Sequence, residues 1–153
     1  MRLPGDDVPL TLPEVAESAN VVFGETATLV GFTVDDGPVT AADSIPLTLV
    51  WQSLSDDIGT DYIVFVHLVD AQGQLLGQHD GVPGDGRRPT SDWLAGDYIV
   101  DPHTLTFRDP GYEGPAYIMV GLYDPSTGGR LLIENGADAF SLPVELQVIP
   151  STP

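Results

Sequence analysis

The side chain best placed to do chemistry is a histidine inside an apolar run. His67 lies within residues 61–70, Asp-Tyr-Ile-Val-Phe-Val-His-Leu-Val-Asp, with Phe65 and Val69 each two residues away. A histidine in that setting is either a hydrogen-bonded structural side chain or a polar contact on the floor of a cleft. His79 and Asp80 follow one strand-length later. Imidazole and carboxylate would suit zinc if they converged with His67, but no His-x-His or His-Glu-x-x-His arrangement supports that. No metal ligand is therefore assigned. Asp80, Asp85 and neighbouring carbonyls offer oxygens to calcium, without the alternating acids and closing Glu of a calcium loop. No cofactor is expected, and calcium is the one ion held in reserve.

The segment 80–96 carries most of the remaining unusual side chains and is longer than most loops, as lids, binding loops and packed Ω-loops are. Arg87 and Arg88 sit there in an otherwise acidic chain. Their structural reading is pairing with Asp80, Asp85 or Asp92. Their functional reading is a guanidinium beside Trp93 and His67 that grips a sugar hydroxyl or carboxylate. Trp93 is expected to roof the face that carries Phe65, His67 and Tyr117. Ser91 and Ser126 lack a nucleophile-elbow context, and paired carboxylates are too numerous here to be informative.

Composition narrows the partners. Five arginines and no lysine stand against 23 acidic residues, a net charge of −18. Such a surface repels nucleic acid phosphate and anionic lipid, which excludes both as partners. It suits a soluble exterior, including a salty or cation-rich one. Cysteine is absent, which rules out disulfides, thiol nucleophiles and thiolate metal sites.

These side chains must be positioned by strands. With 17 Gly and 14 Pro spread through 153 residues, little room remains for helices, and the best helix candidate, residues 13–20, spans a turn at most. Residues 61–70 read as a buried central strand. Residues 46–54 alternate, with Leu47, Leu49 and Trp51 on one side and Trp51 as the core anchor. Asp70-Ala71-Gln72-Gly73 makes a hairpin turn in which Asp70 bonds the backbone, and residues 74–79 return. Further strands are expected at 20–23, 26–34, 98–107, 116–124, 130–134 and 139–148, with turns at 35–38 and 109–111. Pro102 pushes its strand towards an edge. About eight or nine short strands predict an all-β, antiparallel immunoglobulin-like or jelly-roll-type β-sandwich. The expected boundaries are an irregular segment at 1–19, one domain at 20–149 and a linker-like tail at 150–153, the whole being a domain of a longer protein.

Residues 62–70 also echo residues 117–124: each is a hydrophobic strand that ends in Asp, then a Gly-containing turn and a Leu-Leu pair. Two similar hairpins side by side would put Val64, Val66, Leu68, Ile118, Val120 and Leu122 on a core face. Ile63, Phe65, His67, Val69, Tyr117, Met119, Gly121 and Tyr123 then share the second face. A second face that apolar needs a cover or a ligand.

The order Trp51; Tyr62 with Val64-Phe65-Val66-His67-Leu68 and Asp70; Gln78-His79-Asp80; Pro83; Pro89-Thr90 with Trp93; Gly96 and Asp101; Gly121-Leu122-Tyr123-Asp124; and Gly129-Arg130-Leu131 resembles a known domain. It is the C-terminal extracytoplasmic β-sandwich of bacterial multi-span membrane glycosyltransferases of the dolichyl-phosphate-mannose mannosyltransferase type. The resemblance spans roughly residues 22–148 and implies an extracytoplasmic location in a membrane-anchored parent protein. It carries no transferase activity, because the membrane part with the catalytic acids of such enzymes is not in this sequence. The expected function is a non-catalytic accessory module that binds a glycan through Phe65, His67, His79, Asp80, Arg88, Trp93 and Tyr117. The alternative is a structural module that packs on the membrane domain of its own parent chain or on a neighbour. An independent hydrolase is disfavoured.

Overall fold

The computed structural model describes residues 13–35 and 37–150. The first part of the expected N-terminal segment, one position of the 35–38 turn and the end of the tail lie outside the described residues. Within them, β1 (Glu17–Phe23), β2 (Ala27–Val34), β3 (Val39–Thr40), β4 (Ile45–Ser53), β5 (Ile63–Val69), β6 (Leu75–Gly81), β7 (Tyr98–Leu105), β8 (Gly114–Tyr123) and β9 (Phe140–Ile149) follow one another, with a single 3₁₀ turn at Thr90–Asp92. They form two sheets, β1-β2-β4-β7 and β3-β9-β8-β5-β6. The chain is a β-sandwich.

Period-two alternation builds both inner faces. On β4, Ile45, Leu47, Leu49 and Trp51 are buried in the inter-sheet core, while Pro46, Thr48 and Gln52 lean outward. Val64, Val66 and Leu68 face them from β5, and Ile118, Val120 and Leu122 from β8. The two echoing strands are direct neighbours, paired antiparallel with Val64 against Leu122, Val66 against Val120 and Leu68 against Ile118. The second face pairs Phe65 with Gly121, His67 with Met119 and Val69 with Tyr117. Asp70 closes the β5–β6 hairpin, its Oδ1 accepting the backbone N–H of Gln72 at 2.9 Å and of Gln74 at 2.8 Å.

The sheets come closest at one edge, where β6 and β7, the last strands of their sheets, approach each other. The Arg108 N–H donates to the Leu76 carbonyl at 2.8 Å across the gap. One glycine makes the approach possible: a Cβ on Gly77 would collide with the Thr106 carbonyl. His79, two residues on along the same inward side of β6, reaches His103 of β7. Pro102 falls on β7, as an edge strand requires.

Three expectations are corrected, and one strand is added. Residues 17–20 belong to β1, so they form neither a helical turn nor part of an irregular segment. Residues 130–134 form no strand: Arg130 makes a single bridge to Tyr123, and the chain then turns, with Ile133 N–H donating to the Ala137 carbonyl at 2.9 Å. The two-residue strand β3 pairs parallel with β9 and was not anticipated, being too short for any pattern. Finally, Trp93 does not roof the second face. It is fully buried in the inter-sheet core, and its indole N–H donates to the Arg88 carbonyl at 2.9 Å.

Replacing Gly77 with Ala forces β6 away from a backbone oxygen that cannot yield. The expected loss is about 1–3 kcal/mol of stability, read as a lower urea midpoint with far-UV circular dichroism unchanged.

Candidate functional site

The expected site residues divide among three places. Phe65, His67, Asp80 and Tyr117 lie on the outer face of the β6–β5–β8 ribbon, because Asp80 pairs with Phe65 and Gln78 with His67. His79 is one residue out of phase and points inward beside Val66. A strand cannot send adjacent side chains to one face, so His67, His79 and Asp80 do not form one metal site. Arg88 and Trp93 belong to the 80–96 segment, away from that face.

On the outer face, Phe65 is 1% exposed without belonging to the inter-sheet core. Its cover is the Arg130 guanidinium, 4.3 Å from the ring centroid, and Arg130 is held by Asp138 at 3.4 Å. Asp124 caps its own turn instead of pairing with Arg130, accepting the Ser126 N–H at 2.9 Å and hydroxyl at 2.7 Å. Phe65 lies so close over Gly121 that a Cβ there would strike the ring. His67 and Tyr123 flank Phe65, with ring centroids at 4.9 and 6.2 Å. The Tyr123 hydroxyl donates to Asp80 at 3.3 Å, and the Tyr117 hydroxyl to Glu145. Partial burial pulls the His67 pKa below its ordinary value; Asp80 opposes the shift and Arg130 adds to it. Burial and Asp80 raise the Tyr123 pKa, and the Glu145 hydrogen bond raises that of Tyr117.

The 80–96 segment is a plug. Beyond Trp93, the Thr90 hydroxyl oxygen accepts the Tyr62 N–H at 2.9 Å, Asp56 accepts the Ala95 N–H at 2.8 Å, and Asp61 accepts the Ser91 N–H at 3.1 Å. Arg88 is bridged to Asp97 at 3.5 Å.

The tertiary structure also assembles a group that the sequence reading missed. Asp101 and His103 are buried on the inner face of β7. Asp101 Oδ2 lies 2.7 Å from His103 Nε2 and accepts the Trp51 indole N–H at 3.1 Å, while Oδ1 accepts the Gly84 N–H at 3.0 Å. His103 Nδ1 in turn lies 2.8 Å from His79 Nδ1, reaching from one sheet to the other. The chain ends in a cleft of about 280 Å³ lined by His79, Asp80, Val82, Asp85, Pro102 and His103. A signal for it existed: Ile99, Asp101, His103 and Leu105 alternate, placing two polar side chains on a core face. Among the described residues, no group of three or more His, Asp or Glu side chains converges to hold a metal ion.

No protein-family model and no curated protein matches the chain. Solved structures do. The C-terminal domain of wzt is similar over 91% of this chain and 84% of its own, with TM-score 0.60 and 14% identity. The CARDB domain of a Pyrococcus furiosus protein, solved in complex with di-metal ions, is similar over 85% of this chain and 100% of its own, with TM-score 0.47 and 16% identity. AvmM, which catalyses macrocyclization in alchivemycin A biosynthesis, is similar over 92% of this chain and 98% of its own, with TM-score 0.39 and 13% identity. The first similarity supports the β-sandwich fold and nothing finer; the other two are too distant to add to it.

Two outcomes follow. Asp101→Ala strips the Trp51 indole, His103 and the Gly84 N–H of their shared acceptor and costs on the order of 3 kcal/mol, measured by urea denaturation. His67 favours its neutral form in the folded chain, so the unfolded chain takes up the proton first as pH falls below 6.5. Stability is drained between that value and the lowered folded one. From about pH 7.5 to about pH 5, wild type therefore loses more stability than His67→Gln, seen as a shift in the difference between their urea midpoints.

Proposed function

We propose that this chain is a non-catalytic glycan-binding module, an extracytoplasmic β-sandwich accessory to a cell-envelope glycosyltransferase. The observation that carries the reading is the make-up of the outer β6–β5–β8 face. Tyr117, His67, Tyr123, Asp80 and Arg130 place hydroxyl, imidazole, carboxylate and guanidinium groups along one rigid sheet surface, beside the buried Phe65 ring. Such groups donate to and accept from sugar hydroxyls, and sheet positions hold those of Tyr117, His67, Tyr123 and Asp80 in fixed register. With a net charge of −18, an uncharged glycan suits the module better than an acidic one. The fold shared with the C-terminal domain of wzt supports reading it as a module within a longer chain. Among the described residues no helix is long and apolar enough to cross a membrane. In this proposal a parent chain carries the membrane anchor.

A second reading has its own support. Arg130 covers Phe65 and Trp93 fills the core, as expected of a structural module that packs on its parent chain. Glycan-array binding separates the two. Wild type is expected to bind at least one glycan class, with His67→Ala and Tyr123→Ala each about tenfold weaker, the effect of one lost polar contact. If wild type binds no glycan, the structural reading replaces the first.

A further inference from the structure

The His79–His103 pair lies apart from the proposed glycan face and is unused by it. We infer that these two imidazoles form a chelating site for a late first-row divalent cation such as Ni²⁺, Cu²⁺ or Zn²⁺. Their Nδ1 atoms stand 2.8 Å apart and share a hydrogen bond across the gap between the two sheets; an ion takes its place once that proton moves to His79 Nε2 and both rings turn their Nδ1 lone pairs to one point. Metal–imidazole bonds of about 2.0–2.1 Å put two cis nitrogens about 2.9 Å apart at a right angle and about 3.4 Å apart at the tetrahedral angle. The pair already has the right-angle spacing of square-planar or octahedral Ni²⁺ and Cu²⁺, and Zn²⁺ requires a small opening.

The surroundings are those of a metal-ligating histidine. Such residues nearly always donate the other ring N–H to a carboxylate, a backbone carbonyl or water, which sets the tautomer and aims the lone pair. His103 Nε2 has that partner in buried Asp101, which Trp51 and Gly84 hold in turn. Nδ1 of His103 is thereby left facing His79. The remaining coordination positions open on the cleft, where water completes the shell and the carboxylates of Asp80 and Asp85 lend negative charge. Two protein donors leave the site open, unlike a closed four-ligand structural zinc. Because His79 is on β6 and His103 on β7, the bound ion clamps the edge where the sheets meet.

Calorimetric titration of NiCl₂ into the protein, with excess MgCl₂ to occupy scattered carboxylates, tests the site. Wild type is expected to take up one equivalent and to gain thermal stability with it. His79→Gln should bind at least tenfold more weakly, and His67→Gln should bind as wild type does. If His79→Gln fails to fold, ¹⁵N imidazole spectra of wild type with ZnCl₂ decide instead, with the His79 and His103 Nδ1 resonances shifting and those of His67 staying in place. Absence of a stoichiometric equivalent, equal binding by His79→Gln, or Nδ1 resonances unmoved by zinc would overturn the inference and leave a pair that shares only a proton.

Discussion

The structure depends most on how it accommodates one buried carboxylate. Asp101 lies in the core of a sandwich, where an isolated ionised carboxylate would cost far more than the domain's net stability. It is tolerated because three donors from separate parts of the chain converge on it: the Trp51 indole of β4, His103 of β7 and the Gly84 N–H of the 80–96 segment. Each of those contacts fixes an element. Trp51 is held in rotamer, the long segment is drawn against the sandwich, and His103 is oriented so that its other nitrogen meets His79 of the opposite sheet. A satisfied polar network of this kind specifies one arrangement of the sheets, where apolar packing alone would admit several.

The outer face solves a different problem with the same economy of parts. Phe65 points away from the inter-sheet core and would be an exposed aromatic, yet Gly121 beneath it and Arg130 above it bury the ring almost completely. The cover comes from the loop that follows β8 and not from the segment that follows β6. That loop also reaches the other sheet, through the Gly24 N–H and the Leu132 carbonyl at 2.8 Å. What is left for a ligand is the polar rim around a buried ring. Hydrogen bonding, more than stacking on Phe65, is therefore the chemistry the face offers.

Much of this was legible from residue order. Two echoing hydrophobic strands implied neighbours with a defined core face, and the register of β5 against β8 matches that division position by position. Pro102 on an edge strand and Asp70 in its turn follow from the donor that proline lacks and the acceptors that aspartate has. The misplacements share one cause. Trp93, Arg130 and the His79–His103 pair depend on where loops and sheet edges travel after the strands are laid down, and no periodicity encodes that.

By itself the sequence determined most of the long strands, their inner faces, the acidic composition and the absence of disulfides, because alternation, turn chemistry and composition act locally. Only the tertiary structure decided that Trp93 plugs the core and Arg130 covers Phe65, and that His79 leaves His67 and Asp80 for His103. The physical reason is reach. A strand commits each side chain to one of two faces, but which residue it meets there is set by packing between elements distant in the chain.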